Sequence, residues 1–472
     1  MKKALAIDMG ATSIRGILGW VENGKLHTEE VMRMGHRLVE KNGRLCWEWE
    51  KLAACIEETV CRYAGEIQSV GVDTWGVDFG LLDEAGKLLQ APISYRDPKH
   101  EEGFSEVLSQ LGGEKLFLGT GTQLMAINTL FQLVTLQKCE PEIWKKAKHL
   151  LLMPDLVSNL LCGSLYAEET ILSTAQVMDL ETVRLDAVLL DRFGIPESLF
   201  PEKVRAGKRL GTTKTAQSKR LRELPAVDVI AVCGHDTASA VLVTEAFRDE
   251  NCMFLSCGTW SLFGALTDHA ILTKQAYREN LTNELGYNGR NMFFKNMTGL
   301  YLIEKLKEEL EATSGRPISF EEISAYAKTH PNQYGLIDVE APQFGAHDVN
   351  VREAVQAFLR EKGEAVPKAD MEYFGIIYES IAQKCLESKQ AIEQMTGRSY
   401  RALHMIGGGA KSEYLCQLKA DRLGIPVMAG PFEATAYGNI IVQLLAEGEL
   451  TDLAEGIRLV QEAEEVKQYL PH

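Results

Sequence analysis

The chain has 472 residues, a formal net charge of −16 and 45% hydrophobic residues. That length and apolar content suffice for two packed cores, while the acidic balance argues against nucleic acid and anionic membrane as partners. A phosphate-bearing small molecule would need backbone N–H groups, a local cation or a metal to offset the field.

Lys2 and Lys3 precede an apolar stretch, but Asp8 interrupts it, so no secretory leader is read there. No run of 18 apolar residues predicts a membrane span. The ten cysteines include no Cys-x-x-Cys pair, so neither a zinc site nor a disulfide framework is expected, and a reducing cytoplasm fits.

In chain order, the first predicted strand is Ala4 to Ile7, followed by the small-residue turn DMGATSIR from Asp8. A second strand at Ser69 to Val72 runs into GVDTWGVDF, with Gly76 as a candidate bulge between Asp73 and Asp78. Lys99 to Gly113 and Thr212 to Leu224 are polar and read as surface loops or amphipathic helix ends, with a helical segment at Ile143 to Lys148 between them. The strand Val227 to Cys233 ends in GHDTASA. The polar EAFRDEN stretch after Val243 marks a domain boundary. Beyond it come strands at Cys252 to Leu255, Leu403 to Ile406 and Ile425 to Met428. Helical patterns cover Leu300 to Glu311, Tyr373 to Met395 and Ser412 to Leu423. Alternating strands and helices predict an α/β architecture.

Two internal echoes stand out. AIDMGATSIRGIL from Ala6 aligns with FLSCGTWSLFGAL from Phe254, superposing Gly10 on Gly258, Ser13 on Ser261 and Gly16 on Gly264. VIAVCGHDTAS aligns with LHMIGGGAKSE, in the same order. Long-period similarity of this kind predicts two related domains.

The small-residue turns can offer unpaired backbone N–H groups to phosphate oxygens without side-chain obstruction. Asp8, at a strand end, is a candidate to hold Mg²⁺ through water, and Arg15 adds positive charge. GGGAKS, from Gly407, reads as a strand-to-helix turn that lets backbone approach an anion. Asp236 follows an apolar strand at the start of a helix. It reads either as an N-cap or as the general base that takes a hydroxyl proton. Trp75 with Asp73 and Asp78 has the aromatic and acidic composition of a sugar site, or is a core indole beside an edge acid. Asn296, in KNMTGL, reads as a helix cap or a hydroxyl contact. CWEWE, from Cys46, reads as a half-buried strand.

Taken together, DMGATSIRG, GVDTWGVDF, YRDP, LLMPD, GHDTASAV, LSCGTWSL, NLTNE, KNMTGL, MIGGGAKS and AGPFEATAYGN resemble the FGGY family of carbohydrate kinases, within the actin-like ATPase superfamily. They occur in order over nearly the whole chain. The resemblance is strongest to the branch acting on L-rhamnulose. It implies two ribonuclease-H-like domains with an active-site cleft between them, at 1–245 and 252–450, and a helical tail at 451–472. It implies ATP-dependent phosphorylation of L-rhamnulose at its 1-hydroxyl by a monomer or homodimer, with Mg²⁺ and no nucleic acid or membrane partner. Asp236 matches the catalytic base. Gly76, His235, Asp236, Thr237 and Asn296 match sugar-side positions, with Trp75 and Asp78 beside them. Ala11, Thr12, Ser13, Ile14, Arg15, Thr259, Glu304 and Gly408 match the nucleotide side, and Asp8 the acid near Mg²⁺. Ile14 stands where that family's first turn usually has Gly, and Glu304 where Gln is expected. A kinase for another ketose, an ATPase switch and a sugar-sensing regulator are the competing readings. The regulator is disfavoured by the acidic charge and by the lack of a helix-turn-helix pattern.

Overall fold

The structure, a computed structural model, describes residues 2–258, 260–344 and 349–472. The chain forms two compact units that interleave along the sequence. The first comprises Met1–Val243, Thr267–Met292 and Ala434–Ala463; the second comprises Thr244–Leu266, Phe293–Glu433 and Glu464–His472. The sequence reading cuts the chain once, near residue 245, whereas the structure returns two later segments to the first unit.

The first unit opens with β1 (Lys3–Met9), β2 (Ser13–Glu22) and β3 (Lys25–Gly35), an antiparallel meander. Helix α1 (Trp49–Tyr63) leads to β4 (Ile67–Thr74), which pairs parallel to β1. From Ala4 to Met9, β1 is buried throughout, as expected of a strand covered on both faces. Helix α2 (Met153–Cys162) precedes β5 (Arg209–Thr212) and β6 (Asp228–Ile230), and the short α3 (Asp236–Leu242) follows. The strand order is β5-β6-β4-β1-β2-β3. Leu5, Ile7, Val70 and Val72 of the sheet pack with Leu52 and Ile56 of α1 and Val157 and Leu161 of α2. Each such side chain contributes about 1.5–3 kcal/mol on burial.

In the second unit, β7 (Cys252–Cys257) and β8 (Trp260–Thr267) form an antiparallel hairpin, and β9 (Asn291–Thr298) lies beside β8. Helices α4 (Tyr301–Ser314) and α5 (Glu372–Thr396) precede β10 (Ala402–Ile406), which pairs parallel to β7. Helix α6 (Glu413–Leu423) leads to β11 (Val427–Ala429), parallel to β10. Helices α7 (Ala434–Ala446) and α8 (Leu453–Ala463) then rejoin the first unit, and β12 (Lys467–Tyr469) pairs antiparallel to β11. The segment read as a helical tail therefore ends in a strand.

The two sheets repeat one plan. Each has a hairpin whose first strand pairs with a parallel strand, then a second parallel strand and an antiparallel edge. The duplication read from the sequence is thus visible in the topology. All ten cysteines are free thiols. Among the described residues no helix is long and apolar enough to cross a membrane.

Candidate active site

Three parallel strands of the first unit, β1, β4 and β6, deliver acids at their carboxyl ends, where open α/β sheets present ligands. Asp8 and Asp73 are register partners on β1 and β4. The segment after β6 is stitched to β4 by Thr74 N donating to Gly234 O at 2.8 Å, which puts His235 beside Thr74. Asp8 is buried and ion-paired to Arg15, its register partner on β2. Asp73 is fully buried; its Oδ2 accepts from Asn439 Nδ2 of α7 at 2.6 Å, while Oδ1 has no partner among the described residues. Burial first, then the neighbouring charges of Asp8 and Asp236, push Asp73 well above the usual carboxylate range, against the pull of Asn439.

Asp236 is not an N-cap. His235 occupies the cap position of α3 and Asp236 is its first helical residue. Its Oδ1 accepts from Thr237 N at 2.6 Å and Thr237 Oγ1 at 3.3 Å, and 33% of the side chain stays exposed. Burial raises its pKa, while His235 and the Thr237 donors draw it back. The His235 imidazole lies between two acids: Nε2 is 3.4 Å from Asp236 Oδ1, and Nδ1 is 3.1 Å from Glu284 Oε2. Burial lowers the His235 pKa, but Glu284 outweighs it with help from Asp236 and Glu168, and the net direction is upward. Backbone donors hold this segment from below: Gly234 N donates to Glu168 Oε2 at 3.0 Å and His235 N to Thr170 Oγ1 at 3.3 Å.

The GVDTWGVDF segment differs from its sequence reading. β4 ends at Thr74, and Gly76 lies in a turn, not a bulge, closed by Asp78 N donating to Gly76 O at 2.9 Å. Val77 has φ of 70°, a left-handed conformation uncommon for a β-branched residue. It is held on both sides, with its N donating to Thr174 Oγ1 at 3.0 Å and its O accepting from Thr129 Oγ1 at 2.6 Å. A Cβ on Gly76 would sit 3.0 Å from Thr174 Oγ1, so any larger residue would press on the side chain that holds Val77. Asp78 is fully buried and accepts from Trp47 Nε1 (2.6 Å), Trp75 Nε1 (3.0 Å), Gln132 Nε2 (3.0 Å) and Tyr95 N (3.2 Å). Burial still pushes it up to about 6. Its visible task is to orient two indoles, whose centroids are 4.2 Å apart. His36 completes the cluster, 5.9 Å from Trp75, with Nε2 against Gly10 O at 2.9 Å. Burial lowers its pKa, so the neutral ring donates to that carbonyl. It links the aromatic cluster to the first small-residue turn.

In that turn Gly10 N donates to Ser13 O at 2.9 Å, Ala11 and Thr12 form the bend, and Ser13, Ile14 and Arg15 belong to β2. Ile14 is fully buried, so only its backbone could serve a nucleotide.

The second unit holds its own convergence. Leu300 N donates to Gly258 O at 2.9 Å, and a Cβ on Gly299 would come within 2.6 Å of that carbonyl. A Cβ on Gly407 would lie 2.9 Å from Cys257 O. Gly258, Gly299 and Gly407 to Gly409 thus pack as bare backbone, and the position above Gly408 is open. Gly408 lies in a 3-10 turn, not at a helix N-terminus; α6 starts later and is capped by Ser412 Oγ, which accepts from Leu415 N at 3.3 Å. Glu304 is in the first turn of α4. Asn296 lies inside β9 and does not cap α4, and CWEWE splits between a strand to Trp47 and the start of α1. Thr259 lies outside the described residues.

The family that the sequence resembles implies a divalent metal. Among the described residues no three His, Cys, Asp or Glu side chains could hold one directly. Asp73 Oδ1, without a partner among the described residues, and the adjacent Asp8 fit a cation held through water.

Comparison with known proteins bears on the family and the fold. The N-terminal domain model of the FGGY family of carbohydrate kinases matches residues 3–243, and its C-terminal domain model matches 253–447. A rhamnulokinase of Bacteroides thetaiotaomicron is 37% identical over 470 residues, covering 99% of this chain and 95% of the relative. One from Halalkalibacterium halodurans is 35% identical over 474 residues, covering 100% and 99%. Among solved structures, ligand-bound xylulose kinase from Lactobacillus acidophilus aligns with a TM-score of 0.81 at 18% identity, covering 100% of this chain and 94% of that one. Plasmodium falciparum glycerol kinase with ADP gives 0.80 at 16% identity, covering 100% and 95%.

Proposed function

Because this chain belongs to the FGGY family of carbohydrate kinases, we propose that it transfers the γ-phosphoryl of ATP to the 1-hydroxyl of L-rhamnulose, in L-rhamnose catabolism. The observation that carries the sugar assignment is near-full-length identity of 32–37% to seven proteins named rhamnulokinase.

Phosphoryl transfer asks mainly for alignment and charge neutralisation. In this reading Asp236 accepts the hydroxyl proton as the oxygen attacks. Its partial exposure leaves it reachable, and the Thr237 donors fix its carboxylate. His235, Thr237, Gly76 and Asn296 bind sugar hydroxyls, and the Trp75 indole, locked by Asp78, backs them with an apolar plate. The Gly10 to Ser13 turn and the Gly258 and Gly408 backbone receive phosphate oxygens. Asp8, with Asp73 beneath it, would hold Mg²⁺ through water, and the ion would supply neutralisation of phosphate charge. Glu304 contacts the nucleotide from α4.

ADP release, measured with ATP-Mg²⁺ against L-rhamnulose, L-fuculose, D- and L-xylulose, L-ribulose and glycerol, tests the substrate. Preference for L-rhamnulose is expected; preference for another member of the panel overturns the sugar assignment and leaves the base in place. Asp236→Asn should lower kcat by about 10²–10⁴ with little change in the KM for ATP. Turnover near wild type would remove Asp236 as the base.

A further inference from the structure

We propose that Glu284 is a positioning residue for the reaction, holding the His235 imidazole so that it faces the Asp236 carboxylate; this rests on Asp236 being the base. Three side chains form a line: Glu284 Oε2 lies 3.1 Å from His235 Nδ1, and His235 Nε2 lies 3.4 Å from Asp236 Oδ1. The first contact is a close charge pairing rather than an aligned hydrogen bond. Both ends are fixed by backbone. Glu284 sits on the strand Thr282–Leu285, where Gln123 N donates to Thr282 Oγ1 at 3.1 Å, Asn283 N to Gly121 O at 2.9 Å and Leu285 N to Ser173 Oγ at 2.9 Å. His235 is fixed through Thr170 and Thr74.

The side chain of Glu284 is only 11% exposed, and among the described residues His235 is the one basic group within ion-pair reach of it. A buried carboxylate is destabilised unless an opposite charge compensates it, so the pair favours an imidazolium. That cation in turn favours an ionised Asp236. The charged groups facing His235 are Glu284, Asp236 and Glu168; those facing Asp236 are His235, Glu284 and Asp73. Of those on Asp236, His235 outweighs the more distant Glu284. Removing the Glu284 charge neutralises His235 and leaves Asp236 easier to protonate.

The test is a cycle of Glu284→Gln, His235→Asn and the double variant, with kcat followed against pH. Glu284→Gln should move the acid limb of kcat up by about one pH unit, lowering kcat by up to about tenfold on that limb, and leave the KM for ATP unchanged. In the His235→Asn background the same substitution should change kcat by less than about threefold, since Glu284 acts through His235. An unmoved acid limb, multiplying effects, or a raised sugar KM with intact kcat would overturn the proposal; the last would make Glu284 a sugar contact. If Glu284→Gln does not fold, ¹⁵N NMR of the wild-type ring, assigned by its loss in His235→Asn, decides. Both ring nitrogens protonated at pH 7 supports the proposal and a neutral ring overturns it. An active Asp236→Asn defeats the reading of the base; an inactive one beside an unmoved Glu284→Gln profile defeats this inference alone.

Discussion

His100, in the first unit, is 2% exposed, and its Nε2 lies 3.0 Å from Ser94 O. Burial pushes its pKa down to about 4, against 6.5 for the free side chain. Folded protein therefore keeps the ring neutral while unfolded chain takes up a proton below 6.5, so this term loses stability as pH falls from 6.5 towards 4. Its slope is about 1.4 kcal/mol per pH unit. Denaturation midpoints of wild type and His100→Gln should converge over that interval; a constant gap would refute it. The acids that matter were partly readable at this scale. Asp8 betrays itself by ending an apolar strand before a small-residue turn, and Asp236 by following an apolar strand at the start of a helix. Glu168, Glu284, His36 and Asn439 do not, because each finds its partner through the fold, as Asn439 does with Asp73 from 366 positions away. No local pattern marks such residues. Asp78 was readable as important, but its four protein donors are a property of packing.

Among the elements, α7 shows how a helix is admitted to a crowded site. Gly438 lies against Ser239 of α3, where any Cβ would overlap the Ser239 carbonyl; Gly71 and Gly19 on the sheet make room for Asn439 and Ile440. Gln443 then donates to Leu5 O at 3.0 Å and to Asn439 Oδ1 at 2.7 Å, so the helix is fastened by a polar ladder ending at Asp73. Gly438→Ala would gain about 1 kcal/mol of helix propensity. Overpacking against backbone costs about 1–3 kcal/mol or more, so the variant should be less stable by urea denaturation. A more stable variant would mean that α7 shifts freely. The long helices of the second unit, Tyr301–Ser314, Glu372–Thr396 and Glu413–Leu423, were legible from periodicity, whereas Trp49–Tyr63 and Ala434–Ala446 of the first were not read. The turns were less so: Gly76 permits either a bulge or a turn, and the choice is made by Thr174 and Thr129 from elsewhere in the fold. GGGAKS likewise carries two candidate starts, and Ser412, not the glycines, takes the cap.

For the whole molecule, the repeated sheet plan was legible because both hairpins kept their Gly and Ser positions. The interleaving was not, because nothing local in Thr282–Leu285 or Ala434–Ala446 says which unit it will join. One consequence is measurable. A fragment of residues 1–243 lacks both returning segments, leaving Asp73 without Asn439 and His235 without Glu284. It should unfold non-cooperatively and bind a hydrophobic dye, and a sharp two-state transition would contradict this.

The fastening of Asp73 by Asn439 also has a meaning in time. A ribosome makes Asp236, the proposed base, long before it makes α7, so that residue waits for about 200 residues of synthesis before the final support of its neighbour Asp73 arrives. A message broken between codons 410 and 438 yields a polypeptide with every proposed reacting group but without Asn439 and the helices that follow it, which makes the last helices a checkpoint on completeness of translation.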